Sequence, residues 1–253
     1  MKRKLYDQLV IWKTKRHGKS AMMIEGARRV GKSYIVEEFA KNEYKSHIII
    51  DFFKVGDDIK DLFKNYKGNL DMLFTYLSTF YSTKLYPRDS IIVFDEIEFC
   101  PAARAAIKYL VEDGRYDYLE TGSLLGMQMS TRKKLKGSEK QEDYLVPSEE
   151  EKVVLQPMDF EEFLWALGEE NLMEFVRMKF ETKEPVGQSM HRKLMDYFRL
   201  YMIVGGMPQA VMEYLETRSF EDVDRVKRQI LNLYNNCIDQ YAGIHTPKVK
   251  AIY

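Results

Sequence analysis

Gly26-Ala27-Arg28-Arg29-Val30-Gly31-Lys32-Ser33 has the spacing Gly-x-x-x-x-Gly-Lys-Ser. It follows a short apolar run, Ala21-Met22-Met23-Ile24. It precedes Tyr34 to Ala40, where Ile35, Val36 and Phe39 recur at helical spacing. A strand, a glycine-bounded turn and a helix in that order bring several backbone N–H groups to one place. Glycine lets the chain curl there. The free N–H groups and the start of the helix then favour an anion, phosphate above all. Lys32 would reach the β- and γ-phosphates of a nucleoside triphosphate, and the Ser33 hydroxyl would coordinate Mg²⁺. Gly26, Ala27, Arg28, Arg29, Val30, Gly31, Lys32, Ser33 and Tyr34 are the candidate nucleotide-binding residues.

Downstream, Ile91-Ile92-Val93-Phe94-Asp95-Glu96 puts two carboxylates after four apolar residues. A strand so continuously apolar suits a parallel sheet covered on both faces. Its carboxyl end is where such sheets bind ligands. Asp95 would hold Mg²⁺ through its water shell, and Glu96 would orient and deprotonate an attacking water. A fourth strand ends in Leu119-Glu120-Thr121-Gly122-Ser123. Thr121 and Ser123 are candidates to sense the γ-phosphate or steer the water. Hydroxyls that merely close a turn are the other reading.

Further strands are expected at Ser46–Asp51, Tyr116–Thr121 and Val153–Leu155. Helices are expected over 4–15, over 57–82 with a break near Lys67-Gly68-Asn69, and over 101–111. Strands alternating with helices argue for an α/β fold with a parallel sheet. Residues 127–152 are dense in charge and read as a solvated loop, with a specific contact surface as the alternative. From Pro157 no strand is expected. Asp159 and Glu162 suggest a capping box, and helices follow over 188–203, 207–216 and 220–241. The boundary falls near residue 157, giving a first domain over 1–157 and a second over 158–253.

The chain has 253 residues, 45% of them hydrophobic, enough for a sizeable core. Lys+Arg and Asp+Glu are both 39, so the formal net charge is zero. That removes the electrostatic case for a dedicated nucleic-acid binder. The two cysteines, Cys100 and Cys237, have no metal-ligand spacing, and Cys237 falls on an apolar helical stripe as a buried thiol. This usage fits a reducing cytosol. No stretch reaches the roughly 18 apolar residues of a membrane span. A cytoplasmic protein without membrane contact is expected.

Gly-Ala-Arg-Arg-Val-Gly-Lys-Ser, Phe-Asp-Glu-Ile, Thr-Gly-Ser-Leu-Leu, Pro-Met-Asp-Phe-Glu-Glu-Phe-Leu-Trp-Ala and Gly-Gly-Met-Pro-Gln-Ala occur here in one order. Together, over roughly residues 5–250, they resemble the prokaryotic AAA-type ATPases that carry a C-terminal domain similar to restriction-type nucleases. The resemblance implies a three-layer P-loop NTPase domain with a parallel sheet, its Walker A and Walker B motifs at Gly26–Ser33 and Asp95-Glu96. A helical or winged-helix lid would follow, then a nuclease-like domain absent here. It implies ATP and Mg²⁺ as ligands, and a protein partner or DNA reached through that absent domain. It also suggests that Gly206 and Pro208 touch the nucleotide base. A helix-breaking turn is the competing reading of Gly206-Met207-Pro208. The family's arginine finger is not singled out by spacing; Arg104, Arg115 and Arg132 are the candidates, and the oligomeric state stays open.

Two functions follow. One is an ATPase whose cycle moves the lid and the absent domain. The other is a slow switch, in which bound ATP or ADP sets partner binding. A small-molecule or nucleoside kinase is weaker, because Glu96 beside Asp95 suits activation of water and no acceptor site is visible. Thr246-Pro247 opens a helix that stops at Ile252-Tyr253, so the chain reads as a piece of a longer protein.

Overall fold

The structure, a computed structural model, describes residues 1–123 and 148–242, with side chains up to residue 236. The expectations for Arg132 and for the helix at Thr246 therefore lie outside the described residues. So does most of the charge-dense stretch over 127–152, and so does the side chain of Cys237. The chain divides into two compact units, Leu5–Leu155 and a second that joins Met1–Lys4 to Gln156–Tyr253.

Each apolar run of the first unit becomes a strand: β1 (Ala21–Gly26), β2 (Ser46–Asp51), β3 (Ser90–Asp95), β4 (Asp117–Ser123) and β5 (Glu150–Leu155). They form one sheet in the order β2-β3-β4-β1-β5, every pairing parallel. All six residues of β3 and all seven of β4 are buried, as central strands covered on both faces must be. One face carries α1 (Lys4–Arg16) and α2 (Lys32–Glu43), with Leu9, Trp12, Val36 and Phe39 packed on Ile24, Val93 and Leu119. The other carries α3 (Asp57–Asn65), α4 (Leu70–Phe80) and α5 (Pro101–Asp113), which bury Phe63, Leu73 and Ile107 against Met23, Ile92 and Phe94. The result is a three-layer α/β domain. β4 and β5 differ from their sequence-based spans: β4 runs on through Ser123, and β5 starts at the charged residues Glu150-Glu151-Lys152.

The described residues of the second unit are helical: α6 (Phe160–Ala166), α7 (Leu172–Thr182), α8 (Gln188–Val204), α9 (Pro208–Thr217) and α10 (Phe220–Ala242). Met158, Phe163, Val204, Ala210, Val211 and Val223 form its core. The expected capping box is present, with Asp159 and Glu162 each accepting the other's backbone N–H. α7 was not expected from the sequence, because Leu172 is the only residue of the helix that is buried. Met1–Lys4 also belong here rather than with the first unit. Met1 packs on the core, Arg3 Nη2 donates to Gln156 O at 2.6 Å, and Lys4 Nζ pairs with Asp159 and Glu161 at 2.5 and 2.7 Å. Among the described residues no helix is long and apolar enough to cross a membrane.

Candidate functional site

The loop between β1 and α2 opens at Gly26, whose neighbour in the sheet is Leu155. A Cβ at Gly26 would meet the Leu155 carbonyl oxygen at 2.6 Å, so the close approach of β5 requires glycine. At the other end Gly31 holds φ 98°, the left-handed conformation that lets the loop turn straight into α2. The N-cap residue Gly31 gives α2 no side-chain cap, so the helix starts directly from the glycine turn. This is what a phosphate needs.

Lys32 is 5% exposed. Its ammonium donates to Gly26 O at 3.0 Å and Ala27 O at 3.1 Å, so it lies along the inside of the loop. Burial pushes its pKa down, and the carboxylates of Glu96, Glu98 and Asp95 act against that shift. Ser33 Oγ donates to Asp95 Oδ1 at 3.2 Å. The Thr121 hydroxyl donates to the same Asp95 oxygen and accepts the backbone N–H of Glu96 at 3.1 Å. The bonds Ser33–Asp95–Thr121–Glu96 thus join α2, β3, β4 and the turn after β3.

Glu96 itself has φ 53°, a left-handed conformation unusual outside glycine. It starts a short 3₁₀ turn, Ile97–Phe99. Its Oε2 is buried and receives no N–H or hydroxyl donor among the described residues, while its carboxyl is within hydrogen-bonding reach of that of Glu98. Burial first, and the negative charge of Glu98 second, push its carboxyl up to about 7. A buried carboxylate oxygen without a donor suits a site that admits a water. A hydroxyl and a carboxylate 3.2 Å apart, Ser33 and Asp95, suit a hydrated Mg²⁺ that keeps most of its own waters.

Thr121 lies inside β4, and Ser123 is its last residue. They take different roles. Thr121 is bound to the acids, while Ser123 gives its N–H and its hydroxyl to Glu98 Oε1, at 3.1 and 2.7 Å. Glu98 was missed from sequence.

Gly206 and Pro208 belong to the second unit. Met158 N–H donates to Gly206 O at 2.7 Å, and a Cβ at Gly206 would meet Met158 O at 2.1 Å. Pro208 is in the first turn of α9. Gly206 is thus packed closely on Met158, and Pro208 opens a helix. Of the arginine candidates, Arg104 is buried and paired with Glu150 at 3.2 Å, and Arg115 is held by Asp113 at 2.8 Å and Asp71 at 2.6 Å. Arg104 is thereby corrected from a finger to an internal ion pair.

A family model described as AAA domain matches residues 18–164, more than half of the chain. The chain is also similar to three solved structures. A Walker-type ATPase of Pyrococcus abyssi is 14% identical with TM-score 0.47, covering 94% of this chain and 73% of that one. The AMPPCP-bound DnaA of Aquifex aeolicus is 12% identical with TM-score 0.44, covering 94% and 67%. PCH-2 of C. elegans is 14% identical with TM-score 0.35, covering 89% and 65%. No curated protein matches the chain.

Proposed function

This chain belongs to the AAA domain family, and from that premise we propose that it binds ATP with Mg²⁺ at the Gly26–Ser33 loop and hydrolyses it. The observation that carries the reading is the bonded series Ser33–Asp95–Thr121–Glu96 beside the buried Lys32. The loop N–H groups and Lys32 bind the phosphates. Ser33 and Asp95 hold Mg²⁺, which neutralises phosphate charge when bound. Thr121 fixes Asp95 and the backbone of Glu96, so that the Glu96 carboxylate can take a proton from the attacking water. The second unit is the lid of this reading, and hydrolysis drives its movement. Gly206 and Pro208 are its candidate contacts to the base.

The test is calorimetric titration with ATP and Mg²⁺, followed by phosphate release at steady state. Lys32→Ala removes a buried cation and should weaken ATP at least roughly tenfold, about 1.4 kcal/mol. Unchanged affinity would remove the assignment of the loop.

One observation favours a second reading, a slow switch whose bound nucleotide sets partner binding. Arg104 and Arg115 are both tied to carboxylates of their own chain. If no other arginine reaches the site, turnover is slow. Phosphate release measured with and without DNA or a protein partner separates the two. Fast turnover by the chain alone would exclude the switch.

A further inference from the structure

Glu98 has two oxygens in different situations. Oε1 accepts both the backbone N–H and the hydroxyl of Ser123, at 3.1 and 2.7 Å. Oε2 is buried and receives no N–H or hydroxyl donor among the described residues. Ser123 is the last residue of β4 and lies in register with Gly26, the first residue of the loop. A serine hydroxyl carries a single hydrogen. It can give that hydrogen to Glu98 or to a phosphate oxygen arriving beside the loop, but not to both.

We infer that Glu98 is a positioning residue that holds the Ser123 hydroxyl until a γ-phosphate takes it, and so sets how strongly the site prefers a triphosphate over a diphosphate. The inference rests on the nucleotide reading of the site. ADP carries no γ-phosphate and leaves the Ser123–Glu98 bond in place. ATP must break that bond before the hydroxyl can serve its γ-phosphate. One charged acceptor is exchanged for another, so the cost falls on ATP alone. Glu98 keeps the Ser123 N–H through the exchange, and its carboxylate stays in the turn that carries Glu96. The third phosphate is thus sensed at Ser123 and felt at the acids.

Glu98 also brings a negative charge that opposes both nucleotides, and a double-mutant cycle separates the two effects. Dissociation constants for ADP and for a non-hydrolysable ATP analogue, both with Mg²⁺, are measured by calorimetry. The proteins are wild type, Glu98→Gln, Ser123→Ala and the double variant. A neutral amide is the weaker acceptor. Glu98→Gln should therefore raise affinity for the triphosphate relative to the diphosphate by roughly tenfold, the scale of a charge-assisted hydrogen bond. In the Ser123→Ala background the same substitution should raise that ratio much less, by the charge effect alone. An unchanged ratio in the single variant overturns the inference. So does an equal rise in both backgrounds, which would mean loss of charge alone. ADP binding shows that each variant folds; should Glu98→Gln fail to bind it, Glu98→Ala takes its place with the same expected ratio. If wild type binds neither nucleotide, the nucleotide reading itself fails and this inference falls with it.

Discussion

Glu96 shows what single residues contribute. Its carboxyl is pushed up to about 7 by burial and by Glu98, with Lys32 opposing. Below that pH it carries a proton and cannot accept another from water. The value of kcat/KM, which reports the free enzyme, should therefore rise with pH through about 7 and level above it. Glu96→Gln keeps the shape and loses the base. It should bind ATP, turn over at least roughly tenfold more slowly, and lose this rise. A variant as fast as wild type would sink the role of Glu96 as base. The candidate residues legible in sequence were those whose proposed role follows from adjacency, namely Gly26 to Ser33 and Asp95 with Glu96. Glu98 was not legible, because its partner is Ser123, 25 positions away on another strand. Thr121 was legible as a candidate, but the two bonds that define its role appear only when β3 and β4 lie side by side.

Between elements, the least expected feature is the charge buried under α5. Glu120 on β4 is completely buried, and neither oxygen has a hydrogen-bond partner among the described residues. Near it Arg104 of α5 pairs with Glu150 of β5 at 3.2 Å, and Lys152 lies 3.4 Å from Glu150. Desolvation first, and Glu150 second, push the Glu120 carboxyl up to about 8, against Arg104 and Lys152. The folded state therefore keeps a proton that the unfolded chain has released. That contribution to stability is full below about pH 4.5 and is lost as pH rises through about 8. Glu120→Gln imitates the protonated acid and removes this dependence. Its advantage over wild type should grow across that window, at up to about 1.4 kcal/mol per pH unit. Urea denaturation from pH 5 to 8 checks it, and parallel curves would refute it. The five strands were legible because uninterrupted apolar runs mark covered parallel strands. The first half of β5 was not, since Glu150 and Lys152 are charged and are held there by partners on other elements.

At the level of the whole molecule, the second unit is assembled from two distant parts of the chain. Arg3 Nε lies 3.2 Å from Glu162 Oε2, with both side chains 6% exposed. Breaking a buried pair leaves an uncompensated charge, so Arg3→Ala should destabilise the second unit by roughly 3 kcal/mol. Amide hydrogen exchange should then quicken in α6 and α8 while β1, β3 and β4 stay protected. Uniform protection in the variant would show that the pair carries no such weight. No sequence pattern announces this arrangement, because periodicity and capping are local and Lys4 meets Glu162 across 158 positions. The same separation acts during synthesis. Lys4 leaves the ribosome long before the residues that receive it have been translated. The sheet can form in the meantime, since β1 to β5 all precede Gln156. The second unit therefore completes itself only after the whole sheet has been made.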